Sequence, residues 1–173
     1  GSAAIIGAMC SIAMNKLPKN VVTVVAACEN MVDGAGYRNG DIVHTMAGKS
    51  VFIHSTDAEG RLTLADAITY MIRKEQVDSI IELSTLTGSC SNFFSDICAG
   101  VLTTDDAMFE QIASHSDIAG EKYAKAFGIE KIFGNNLILL LMKVNMIGIE
   151  RLLYLYILIL ILFIQHSVIS SSV

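Results

Sequence analysis

Tryptophan is absent from this 173-residue chain, proline occurs once, and basic residues are outnumbered, with 12 Lys and Arg against 17 Asp and Glu. A formal net charge of -5 leaves no basic footprint, which excludes nucleic acid as an expected partner. The four cysteines, Cys10, Cys28, Cys90 and Cys98, contain no C-x-x-C pair and have no histidine at a zinc-ligand spacing. They read as reduced, buried thiols of a cytosolic protein, so a cytoplasmic location is expected. The chain opens Gly1-Ser2-Ala3 without an initiator Met or a basic segment, which makes the apolar run Ala3 to Met14 a poor signal peptide. What is abundant is apolar: 53% of residues are hydrophobic, unevenly placed, with much of the excess after Asn136.

The order of elements follows from punctuation and periodicity. Ala3 to Asn15 is apolar nearly all round and predicts a helix buried between a sheet and its neighbours. Lys16 to Asn20 ends it, because Pro18 cannot continue a helix. Val21 to Cys28 is a β-branched run that predicts a strand covered on both faces. Glu29 to Gly40 reads as a long loop, and Asp41–Thr45 with Ser50–Thr56 as a hairpin around Met46-Ala47-Gly48-Lys49, where Lys49 is expected to be solvated. Leu64, Ile68, Met71 and Ile72 recur at helical spacing to about Glu75. Val77–Leu83 and Ile97–Thr103 predict further strands, and Asp105–His115 a helix with Thr104 as N-cap and Met108 and Phe109 in its core face. Alternating strands and helices imply an α/β layer fold with a mainly parallel sheet flanked by helices.

The chemistry concentrates in Ser55-Thr56-Asp57-Ala58-Glu59-Gly60-Arg61-Leu62. Asp57 and Glu59, one residue apart on a loop, can turn both carboxylates toward one point, as hard divalent cations require of oxygen ligands. Gly60 allows close backbone approach, and Arg61 supplies a permanent cation for an anion or a developing oxyanion. The competing reading is structural: Asp57 caps the following helix and Glu59 pairs with Arg61. The order of acids and glycine is not that of an EF-hand. Ser84-Thr85-Leu86-Thr87-Gly88 follows a predicted strand, where ligands of open α/β sheets gather, so it and the Asp57 loop are expected to line one site. His44 and His54 lie on the hairpin and are read as surface or packing residues rather than ligands.

Residues 55–62 resemble the N-T-D-A-E-G-R-L signature of the leucyl (cytosol) aminopeptidase family. Ala26-Ala27-Cys28-Glu29-Asn30-Met31 resembles that family's A-x-x-E-N-M, Tyr37-Arg38-Asn39-Gly40-Asp41 its Y-R-P-G-D, and Leu83-Ser84-Thr85-Leu86-Thr87-Gly88 its L-A-T-L-T-G. The resemblance covers about Gly1 to Lys122. It implies a two-metal exopeptidase, using manganese or zinc, that removes leucine-like N-terminal residues from peptides and assembles as a homo-oligomer, usually a hexamer. By matching positions it implies that Asp57 and Glu59 are metal ligands, with Glu59 bridging. Arg61 would stabilise charge beside a bound bicarbonate serving as base, and Thr85, Leu86 and Gly88 would line the substrate cleft. Two positions depart in ways that bear on the site: Ser55 stands for the family's asparagine, and Glu82 for the aspartate before the Thr85 loop. Gly1-Ser2-Ala3-Ala4 resembles the G-G-A-A after the family's M-x-x-D-M, so the remaining ligands, the two lysines and a separate N-terminal domain are expected upstream. The chain then reads as a fragment of a longer enzyme, or alternatively as an inactive, structural or membrane-tethered relative.

Beyond about Phe127 the resemblance ends, giving two expected parts: a partial catalytic domain over 1–127 and an anomalous Ile/Leu-rich tail over 128–173, with Gly134-Asn135-Asn136 as boundary signal. More than half of Leu137–Ile164 is Ile or Leu. Leu152–Ile164 carries no charge but as a helix spans only about 20 Å, short of the roughly 30 Å of a bilayer core. Out-of-frame or intron-derived translation of AT-rich sequence, a buried helix or strand, and a membrane anchor are the three readings of this tail.

Overall fold

A computed structural model describes residues 1–103 and 105–126, together with the backbone of Leu137–Leu141 and Ile157–Phe163. Helix α1 (Ser2–Met14) leads to strand β1 (Thr23–Ala27), then the hairpin β2 (Ile42–His44) and β3 (Ser50–Phe52). A 3-10 turn, Thr56–Ala58, precedes helix α2 (Gly60–Tyr70), which a π-turn extends over Met71–Glu75 until Gln76 breaks it in the left-handed region at φ 53°. Strand β4 (Ile80–Ser84), α3 (Gly88–Phe94), β5 (Ala99–Thr103), α4 (Asp106–Ser114), α5 (Ser116–Ala119) and β6 (Tyr123–Lys125) follow, and then strands β7 (Leu137–Leu141) and β8 (Ile157–Phe163).

Six strands form one sheet in the order β1-β8-β4-β7-β5-β6. Both tail strands therefore lie inside the sheet. β4 alternates along its length: Ile80 joins Ala67 and Met71 of the α2 side, while Ile81 and Leu83 pack with Val101, Met108, Phe109 and Ile112 of the α4 side. A sheet covered on both faces by helices is the expected α/β arrangement. Within that class the sheet is mixed rather than mainly parallel, since β4 and β7 run parallel, as do β5 and β6, but β8 is antiparallel to β1 and β4, and β7 to β5. The connection between β4 and β5, which includes α3, returns the chain to the end of the sheet where β4 finished, so β5 runs opposite to β4.

Three local expectations need correction. Helix α1 is not buried all round: Ser2 and Ile5 are buried, while Ile6 and Met14 are exposed, because a sheet covers only one face of a helix that is apolar on every side. Cys10 and Cys28 are likewise exposed, on the uncovered part of α1 and just past the end of β1; Cys90 is buried and Cys98 intermediate, and none of the four is joined in a disulfide. The N-cap of α4 is Asp105, whose carboxylate accepts from the Met108 amide at 3.0 Å; Thr104 lies outside the described residues, as does the 127/128 division. No described helix is long and apolar enough to cross a membrane.

Close packing gives one direct prediction. A Cβ built on buried Gly100 of β5 would stand 2.4 Å from Cε2 of Phe94, inside contact distance. Gly100→Ala is expected to cost about 1–3 kcal/mol through overpacking, read as a lowered urea midpoint; an unchanged midpoint would show that the Phe94 ring moves aside freely.

Candidate functional site

The hairpin is what delivers the acidic loop. Gly48 closes its turn at φ +81°, where a side chain would be strained, and His44 pairs with Ser50 across it. Helix α2 holds the tip from the other side: Asp66 accepts from the Met46 amide at 2.7 Å, and Arg73 donates to the carbonyls of Met46 at 2.7 Å and Ala47 at 3.2 Å. The far end of β3 is stitched to the preceding loop, with the Gly40 amide donating to Ile53 O and the Ile53 amide to Asp41 O, both at 2.8 Å. Ile53 is buried there, so the chain enters residues 55–61 from a fixed point.

Asp57, Ala58, Glu59, Gly60, Arg61, Thr85 and Leu86 line one open cavity of about 200 Å³. The two loops predicted to share a site thus meet. Asp57 sits in the 3-10 turn, Glu59 is the residue before α2, and Gly60 and Arg61 begin that helix. The capping alternative is not what forms. Neither Ser55 nor Glu59 makes a side-chain cap bond, Asp57 is not a cap position, and Glu59 forms no ion pair with Arg61. Both acids are left available to the cavity, Glu59 partly buried and Asp57 exposed. On the same rim the first turn of the 11-residue α2 presents amides and the positive end of its dipole beside the Arg61 guanidinium. One cavity therefore offers carboxylates for a cation and positive groups for an anion.

The other wall is the chain leaving β4. Thr85 and Leu86 line the cavity, while Gly88 starts α3 behind the Thr87 cap, whose hydroxyl accepts from the Ser89 amide at 3.2 Å; Gly88 is not part of the lining. His44 is occupied by Ser50 at 3.2 Å, and neither it nor His54 reaches the cavity lining. Two neighbours carried no assigned role in the sequence. Tyr37 lies close enough to the site that its phenol pKa is raised, first by burial and then by the charge of Glu59. Asn39 bonds the Thr56 amide at 2.9 Å. Further in, Glu82 of β4 is fully buried with no hydrogen bond to either carboxylate oxygen, and the buried Ser84 hydroxyl beside it is equally unsatisfied.

The cavity lies at the end of a central strand of the α/β sheet, with carboxylates and a cation on its lining, and comparisons with known proteins identify the family. Residues 1–134 match the catalytic domain of the cytosol aminopeptidase family, and the chain belongs to that family. It is 49% identical over 121 residues to a probable cytosol aminopeptidase of Clostridium tetani, covering 70% of this chain and 25% of that protein. It is 47% identical over 124 residues to leucine aminopeptidase 2, chloroplastic, of Oryza sativa subsp. japonica, covering 71% and 21%. Among solved structures it resembles a mutant tomato leucine aminopeptidase with a TM-score of 0.55 and 39% identity, covering 60% of this chain and 20% of that one. The bottromycin maturation enzyme BotP in complex with Mn gives a TM-score of 0.53 at 31% identity, covering 57% and 22%. The chain spans about a quarter of the length of the curated relatives it matches.

Proposed function

We propose that this chain carries the carboxylate part of a metal-dependent aminopeptidase site that releases leucine-like residues from the amino ends of peptides. The observation that carries the reading is the shared cavity, in which Asp57 and Glu59, uncapped and unpaired, stand with Arg61 and with Thr85 and Leu86. Two carboxylates with unused oxygen donors fit a divalent cation such as Mn²⁺ or Zn²⁺, and Asp57 and Glu59 are the residues that would hold it. When bound, such a cation polarises a peptide carbonyl and raises the acidity of water. Arg61 and the first amides of α2 favour the negative charge that develops on the attacked carbonyl oxygen. Thr85 and Leu86 orient the peptide opposite that positive rim. Among the described residues no group of three or more His, Cys, Asp or Glu comes together, so in this reading further ligands join Asp57 and Glu59 from outside that set. Bicarbonate as the base, a hexameric assembly, a cytoplasmic location and the division of the chain after residue 127 belong to the same proposal.

The test supplies the rest of the site. Residues 1–126 replace the matching quarter of the Clostridium tetani relative, and the chimera is assayed on a leucyl amide with added Mn²⁺. Turnover that disappears in a Glu59→Ala chimera is expected. A folded chimera with metal bound and no turnover would favour the second reading, an inactive aminopeptidase-like partner.

A further inference from the structure

We propose that Asn39 is a positioning residue for the Asp57–Glu59 turn, its side-chain carbonyl holding the Thr56 amide from across the loop. This inference rests on the metal-site reading above. Ser55 is extended at φ -144° and ψ 127° and its side chain provides no cap; its carbonyl accepts from the Ala58 amide at 3.2 Å, which leaves the Thr56 amide of the 3-10 turn without a partner from Ser55. The Thr56 amide, first in that turn, instead donates to Asn39 Oδ1 at 2.9 Å over a separation of 17 residues. Ser55, Thr56 and Asp57 are all exposed, and a short exposed turn is where a backbone opens most readily. A single bond at its first amide therefore has a large share in fixing the direction in which the two acids leave the chain.

Asn39 is itself well anchored. The Asp41 carboxylate accepts from the Arg38 amide at 2.7 Å, the Asp41 amide donates back to Arg38 O at 3.1 Å, and Gly40 at φ +97° lets its amide reach buried Ile53 at 2.8 Å. The turn holding Asn39 is thus fixed to the same residue from which the acidic loop departs. Tyr37, on the same turn, has its phenol pKa raised first by burial and then by the charge of Glu59.

The experiment compares the full chain with Asn39→Ala and Asn39→Asp, the second of which keeps the acceptor. Mn²⁺ affinity is measured by electron paramagnetic resonance, Thr56 amide exchange by NMR, and melting temperature alongside. Outer-sphere partners of metal ligands are worth about 10–100-fold in affinity, so Asn39→Ala is expected to bind Mn²⁺ about 10-fold more weakly and to expose the Thr56 amide to faster exchange. Asn39→Asp is expected to restore both, with melting temperatures that do not track the affinities. Equal Mn²⁺ affinity in wild type and Asn39→Ala, or failure of Asn39→Asp to recover it, would overturn the proposal. A wild type with no Mn²⁺ binding at all would count against the metal-site reading instead. In that case a Thr56 amide that exchanges equally fast in wild type and Asn39→Ala would overturn the positioning role as well.

Discussion

The chain is expected to lose stability as pH rises from about 5 to 8, and Glu82→Gln is expected to abolish most of that loss. Glu82 lies on β4, in register with Leu139 of β7 on one side and Ile161 of β8 on the other, and has no solvent exposure. Burial pushes its carboxyl pKa from 4.5 up to about 8, against the smaller opposing pull of the Gly1 amino group and of a nearby Ser84 hydroxyl that is not in hydrogen-bond geometry with either carboxylate oxygen. Between those values the folded protein holds a proton that the unfolded chain has released. Stability is therefore fully present below the lower value and falls until pH passes the higher one. At about 1.4 kcal/mol per unit the loss amounts to at most about 5 kcal/mol, large for a domain of this size. The Gly1 amino group contributes the opposite slope, because burial lowers its pKa from 8.0. In Glu82→Gln only that shallow rise should remain. Thermal melts at half-unit pH steps decide it; a wild-type curve that is flat or rising from pH 5 to 8, with Glu82→Gln superimposed, would contradict the burial of a protonated acid.

At the cavity the expected effects are of opposite sign for neighbouring residues. Glu59→Gln and Asp57→Asn each remove a charged oxygen donor while keeping shape. Outer-sphere groups alone are worth about 10–100-fold, so loss of either ligand should weaken Mn²⁺ binding by more than about 100-fold. Arg61→Met should do the reverse. A guanidinium on the lining of the same cavity opposes a divalent ion bound there, so its removal should tighten Mn²⁺ binding a few-fold. It should also remove turnover in the chimera, because the group that favours the developing anion is gone. Calorimetric titration of the three variants separates the roles. Equal weakening by all three would mean that they support the loop rather than divide the work between cation and anion.

Much of this arrangement is legible in the sequence, because short-range rules govern it. A glycine at 48 marks the turn, the spacing of Leu64, Ile68 and Met71 marks α2, and the strand-end loop at Thr85 belongs where open sheets bind ligands. What the sequence hides is set by partners far along the chain. The bond from Asn39 to Thr56 spans 17 residues and has no local signature. Glu82 shows as an acid within an apolar strand, but its complete burial follows from β4 being central, between β7 and β8. The tail is hard to read for a related reason. A run such as Ile157–Phe163 is apolar at every position, so neither a period of 2 nor one of 3.6 stands out; its place between β1 and β4 is decided by the sheet. Helix α1 misleads in the same way, since apolar residues on every side suggest burial that one sheet face cannot provide.

Anomalous diffraction from Mn²⁺-soaked crystals of the chimera, in which the rest of the site is supplied, tests most directly whether Asp57 and Glu59 hold a divalent cation. The account predicts a manganese peak bounded by the carboxylates of these two residues within the cavity that Arg61, Thr85 and Leu86 complete, and its disappearance in Glu59→Gln. A map with manganese elsewhere and none between Asp57 and Glu59 would contradict it.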